Sequence, residues 1–107
     1  MTQSVKGMRD LWGTELAHFQ FVERMCHQIM GAHGYQEIRT PIVESTDLFS
    51  RGVGSTTDIV NKEMYTFQDR SDRSLTLRPE NTASVVRAII QNKLLEGNDP
   101  LHLFYIG

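Results

Sequence analysis

From Thr14 to about Ala32, apolar side chains return every three or four residues: Leu16, Phe19, Val22, Cys26, Ile29 and Met30. That interval puts them on one stripe of an α-helix and on both faces of a strand, so the segment reads as an amphipathic helix. Thr14 is a residue type that caps helix starts, and Gly34 is placed to end the helix with a positive φ. A helix of this length with one apolar stripe needs a cover. The rest of the chain, 107 residues in all, is one domain's worth at most and can build only a modest core. The stripe is therefore expected to seek a partner surface.

The segments that follow alternate in character. Tyr35 to Thr40 reads as a strand ended by Pro41. Ser45, Thr46 and Asp47 offer caps for a short helix, Leu48 to Arg51. Gly52 and Gly54 break it, and Ser55 to Asn61 reads as a polar loop. Met64 to Phe67 and Leu75 to Arg78 are strand-like with a turn-prone tract between them, a hairpin pattern. Pro79 suits the first position of a helix that runs to about Lys93 with Val85, Val86, Ile89 and Ile90 facing inward. Gly97 to Pro100 forms a turn before a last strand, Leu101 to Gly107. This order predicts an α+β fold, an antiparallel sheet with flanking helices. No phosphate-binding glycine loop of the dinucleotide or P-loop type is present. The net charge of −2 leaves no polyelectrolyte footprint for nucleic acid. The apolar, β-prone end without a polar tail suggests a chain that stops inside a core strand.

Few residues suggest chemistry. A single cysteine, Cys26, allows no internal disulfide and fits a reducing, cytoplasmic setting; on the helix stripe it reads as a core residue. His18, His27, His33 and His102 lack metal-ligand spacing, so no metal site is expected. No apolar run is long enough for a membrane helix. Leu77-Arg78-Pro79-Glu80-Asn81-Thr82 is the sharpest candidate. With Pro79 starting a helix, Glu80 falls in its first turn with Thr82 two residues on. A carboxylate and a hydroxyl there suit an α-ammonium group, which needs a counter-charge and a further acceptor. An acid at a helix start is also favoured by the helix dipole alone. Asn61 to Phe67 reads as a strand with one wet face. Arg39, Arg51, Arg78 and Arg87 are candidates for phosphate or carboxylate contacts, although an arginine is more often a solvated or salt-bridged surface group.

Taken together, several blocks resemble the histidyl-tRNA synthetase family. They are Lys6 to Asp10, Gly34 to Glu44, Leu48 to Arg51 with Thr57 to Phe67, Leu75 to Ala83, and Leu103 to Gly107. Gly34 to Glu44 resembles class II motif 1, with Pro41 as its hallmark, and the last block resembles the opening of motif 2. The resemblance implies that residues 1–107 are the N-terminal part of a class II synthetase catalytic core, cut within motif 2 and without the anticodon-binding domain. It implies histidine, ATP with Mg²⁺ and tRNA(His) as substrates, and a homodimer whose interface includes Tyr35 and Pro41. Glu80 and Thr82 map onto the residues that hold the amino group of histidine. The catalytic arginines of motifs 2 and 3 would lie beyond Gly107, so the isolated chain is expected to be inactive. Two departures stand out. Leu11-Trp12-Gly13 replaces the usual Leu-Pro. Asn81 stands where the family usually has Gly; Asn tolerates positive φ, which would keep the backbone, with a side chain that could crowd the pocket. Two alternatives share the pattern. One is the regulatory subunit of ATP phosphoribosyltransferase, in which the Glu of this motif is usually replaced, so Glu80 argues against it. The other is a dimerisation module without a ligand site.

Overall fold

The computed structural model describes residues 1–52, 64–97 and 99–107. In chain order the elements are α1 (Gly13–Ala32), β1 (Gln36–Glu37), β2 (Val43–Ser45), α2 (Thr46–Gly52), β3 (Thr66–Gln68), β4 (Ser74–Leu77), α3 (Thr82–Gln91) and β5 (Leu103–Phe104). They form two units, one of Met1–Glu37 with His102–Gly107, the other of Ile38–Leu101.

The first unit is α1 with a two-stranded parallel ladder, Gln36 opposite Leu103 and Glu37 opposite Phe104. The helix starts one residue before Thr14, with Trp12 at the cap and no side-chain cap bond. Thr14 does not cap, because it already lies inside the first turn. The other end closes as expected. Gly34 has φ +80°, its N–H donates to the Gly31 carbonyl at 3.1 Å, and the Tyr35 N–H donates to that of Met30 at 2.9 Å. These are the two bonds of a Schellman motif. Of the stripe, Leu16, Cys26 and Met30 are half-buried, whereas Phe19, Val22 and Ile29 stay about half exposed, with Phe21 and Met25 beside them. No residue of α1 is buried. His27 ties the helix to β1: one ring nitrogen lies 2.7 Å from the Glu23 carbonyl oxygen and the other 2.7 Å from Glu37 Oε2. Both partners are acceptors, so the ring serves both only when doubly protonated. Phe104 meets that ring edge-on at 5.4 Å. The strand expected over Tyr35 to Thr40 is only two residues long.

The second unit is an antiparallel sheet in the order β2-β4-β3, with α2 and α3. The hairpin strands sit one or two residues from where the pattern put them. Asp69 builds the turn: Oδ1 accepts the Ser71 and Arg73 N–H groups at 2.8 and 2.9 Å, and Oδ2 accepts Arg73 Nε–H at 2.7 Å. This local network lets Asp72 take φ +60°. On one sheet face the register aligns Glu44, Thr76 and Thr66, and Glu44 and Thr76 are buried. Their polarity is met internally. Thr76 Oγ1 lies 2.8 Å from Thr46 Oγ1 and 2.9 Å from Thr66 Oγ1, and Thr46 reaches Ser74 Oγ at 2.7 Å. Phe49, Met64 and Ala88 supply the apolar core.

Helix α3 departs from expectation in three ways. It starts at Thr82, not at Pro79, and ends at Gln91. Its buried residues are Ser84 and Ala88, with Val85 and Ile89 half-buried; Val86 and Ile90 are 50% and 72% exposed. Finally, it closes on Lys93 at φ +56° with the Leu94 N–H on the Ile89 carbonyl at 3.0 Å, a Schellman end without glycine.

Candidate functional site

Strand β4 delivers Arg78, whose N–H donates to the Ile42 carbonyl at 2.9 Å. After it the chain turns through Pro79 and Glu80 before α3 begins. Glu80 therefore precedes the helix instead of lying in its first turn, and it acts as the cap. Its Oε2 accepts the Thr82 N–H at 2.7 Å and its Oε1 the Ala83 N–H at 3.1 Å. These two N–H groups are among those that a helix start leaves unpaired. The Glu80 carboxyl is held below the ordinary glutamate range. The Thr82 N–H is the largest cause, followed by the Thr82 hydroxyl; burial opposes them, and the Ala83 N–H adds a lesser lowering. Glu80 is thus an anion at neutral pH, and both Glu80 and Thr82 are exposed.

The two side chains border a cleft of about 590 Å³ between α2 and α3. Its walls are mostly apolar: Leu48, Phe49, Pro79, Ala83, Val86 and Ile90, with Arg87 and Gln91 further along the helix. This explains why Val86 and Ile90 are exposed, since they face an open cleft and not the sheet. An apolar cavity with a few convergent polar groups is the usual form of a small-molecule site.

Asn81 does not line the cleft, and its φ of −106° is not in the left-handed region. The expectation of a retained positive φ with a crowding side chain is therefore wrong on both counts. The side chain turns inward and is 8% exposed. Its Oδ1 accepts the Thr40 hydroxyl at 2.6 Å and an Arg78 Nη1–H at 3.1 Å.

Arg78 and Arg87 are internal partners. Arg87 Nη2 donates to Glu44 Oε1 at 2.9 Å and Nη1 to Gln91 Oε1 at 2.6 Å. Its Nε lies 2.7 Å from Glu44 Oε2, an ion-pair contact whose N–H is not aligned for a hydrogen bond. Arg39 is exposed, and the Arg51 side chain and the 61–63 part of the strand-like segment lie outside the described residues. Tyr65 is 77% exposed while Met64 is buried. Cys26 is half-buried. Tyr35 is half-buried against His102, with ring centroids 5.1 Å apart, and Pro41 is exposed. Among the described residues no three His, Cys, Asp or Glu are grouped to hold a metal ion. No described helix is long and apolar enough to cross a membrane. Sequence reasoning missed the Thr40–Arg78–Asn81 cluster and the Glu44–Arg87 pair, because partners 41 and 43 residues apart leave no local signal.

A family model described as histidyl-tRNA synthetase matches residues 7–107. The chain is 58% identical over 105 residues to a histidine–tRNA ligase of Desulfitobacterium hafniense, covering 98% of the chain and 25% of that relative. Among solved structures it is similar to apo histidyl-tRNA synthetase of S. aureus, with TM-score 0.83 and 42% identity over 98% of the chain and 24% of that protein. It is also similar to an ATP phosphoribosyltransferase regulatory subunit/histidyl-tRNA synthetase from Bacillus halodurans, with TM-score 0.78 and 25% identity, covering 98% and 26%. The chain spans about a quarter of the length of the curated relatives it matches.

Proposed function

Because the chain belongs to the histidyl-tRNA synthetase family, we propose that it forms part of the catalytic domain of a histidine–tRNA ligase, in which Glu80 and Thr82 hold the α-ammonium of histidine. The observation that carries this reading is an ionised carboxylate at the border of an apolar cleft. A carboxylate offers about four lone-pair sites. Backbone N–H groups use two of them here, which leaves room for an ammonium. Capping and ligand binding are thus compatible in one side chain. The ionised Glu80 also favours the ligase over the regulatory-subunit alternative.

ATP and Mg²⁺ enter the reading through the family alone. Among the described residues, Arg78 Nη1 donates to Thr40 and Asn81, and the Arg87 guanidinium is held by Glu44 and Gln91. Activation of histidine to the adenylate and its transfer to tRNA(His) would need groups that the described residues do not supply. The isolated 107-residue chain is accordingly expected to be inactive. We also place the parent ligase in the cytoplasm, as a homodimer that covers the exposed face of α1 and includes Tyr35 and Pro41. Pyrophosphate exchange on the full-length ligase tests the reading. Exchange should depend on histidine and not on the other standard amino acids; exchange supported by none of them would refute it.

A further inference from the structure

Asn is a residue type that normally caps a helix with its own side chain, and Asn81 stands at the cap position of α3, yet it makes no such bond. Glu80, one residue earlier, does the capping. The Asn81 side chain is spent elsewhere. Its Oδ1 draws together the Thr40 hydroxyl and Arg78 Nη1, and Arg78 Nη1 also lies 3.3 Å from Thr40 Oγ1 and 3.4 Å from the Thr40 carbonyl oxygen. One nearly buried amide oxygen thus binds the peptide at position 81 to two other points of the second unit. The first helical bond, Val85 N–H to the Asn81 carbonyl at 3.0 Å, starts from the same residue. The side chains on either side of this anchor, Glu80 and Thr82, are the two that border the cleft.

We infer that Asn81 is a positioning residue for the ammonium site: its Oδ1 pins the backbone between Glu80 and Thr82 to Thr40 and Arg78, and so sets where those two side chains stand. This inference rests on the ammonium reading of Glu80 and Thr82. Removing the acceptor takes a partner from the part-buried Thr40 hydroxyl and leaves Arg78 Nη1 with only its longer contacts to Thr40. The strain is relieved by shifting residues 80–82, where small displacements cost binding. A negatively charged acceptor at the same position still receives both donors, one of them cationic.

The test uses the full-length ligase and three variants. Asn81→Leu keeps the branched outline and removes the acceptor, Asn81→Asp keeps the acceptor, and Glu80→Gln reports on the ammonium reading. For Asn81→Leu the KM for histidine should rise about tenfold, with that for ATP moving less than about twofold. Asn81→Asp should recover most of that loss. The inference is overturned if Glu80→Gln raises the KM for histidine while Asn81→Leu does not, or if Asn81→Asp is as impaired as Asn81→Leu. If Glu80→Gln has no effect, the ammonium reading fails, and the anchor is then judged by amide hydrogen exchange at Thr82 and Ala83. Exchange there should quicken about tenfold in Asn81→Leu and not in Asn81→Asp; unchanged exchange overturns the anchor as well. Should Asn81→Leu not fold, Thr40→Val removes one donor from the opposite side. It is expected to raise the KM for histidine about threefold, and no rise overturns the inference.

Discussion

Replacing Glu80 by Gln keeps the side chain's shape and removes its charge, and the structure sets the size of both consequences. Gln retains one acceptor oxygen, so one of the bonds to the Thr82 and Ala83 N–H groups survives. The other N–H lies at an exposed helix end, where water can replace its partner. The folding cost should therefore sit near the low end of cap substitutions, about 0.5 kcal/mol, with at most a few tenths more for the lost charge at the helix dipole. In a protein several times longer than this chain, that lowers Tm by no more than roughly 2 °C. Histidine binding should suffer more. A hydrogen bond to a charged group contributes about 1.5–3 kcal/mol, and the exposure of Glu80 argues for the lower end because water screens the pair. About 1.4 kcal/mol corresponds to a tenfold change. The KM for histidine in pyrophosphate exchange should thus rise at least about tenfold, with that for ATP changing less than about twofold. If both constants stay put, Glu80 is only a helix-end acid. If both rise together with a large fall in Tm, its role is structural and the site assignment fails.

Three further outcomes follow from the same structure. Light scattering on the full-length ligase should give a dimer at micromolar concentration, because Phe19, Phe21, Val22, Met25 and Ile29 are exposed along α1 and an apolar face of this kind marks an interaction surface; a monomer refutes it. Arg87→Met leaves the buried Glu44 carboxylate uncompensated, which should cost roughly 3 kcal/mol in urea unfolding, and a change below about 0.5 kcal/mol would refute the pairing as a stabilising contact. The carboxyls of Glu80 and Asp69 are both held below their ordinary values, Asp69 chiefly by the Arg73 N–H, with the Arg73 guanidinium and the Ser71 N–H adding to it against an opposing effect of burial. Their unfolded forms therefore bind protons more readily. Each contributes stability above its unfolded value, about 4.5 for Glu80 and 3.8 for Asp69, and loses it as pH falls through the lower folded value. Glu80→Gln and Asp69→Asn should each flatten the acid limb of the Tm–pH curve, and an unchanged limb in both would refute the capping networks as its source.

What could be read from residue order alone is what depends on neighbours a few positions apart. The three- and four-residue interval of α1, its stop at Gly34 and the hairpin between Met64 and Arg78 were all legible, because side-chain periodicity and left-handed backbone at glycine are local physics. So was the pairing of Glu80 with Thr82 as a candidate site. Other features were decided by contacts across the fold. Pro79 could have opened α3. Instead the helix begins three residues later, at Thr82, with Asn81 at its cap bonded to Thr40 and Arg78, and Glu80, one residue before the cap, accepts the first free N–H groups. A polar sheet face holding Glu44 and Thr76 is buried because Arg87 and a row of hydroxyls satisfy it. Val86 and Ile90, which the helical pattern turns inward, border a cleft because Ser84 and Ala88 are small enough to bring the other face of α3 into the core. Most buried polar atoms find a partner wherever the fold supplies one. Partners some forty residues apart have no signature in sequence spacing, and here they set the start of the helix and with it the geometry of the site.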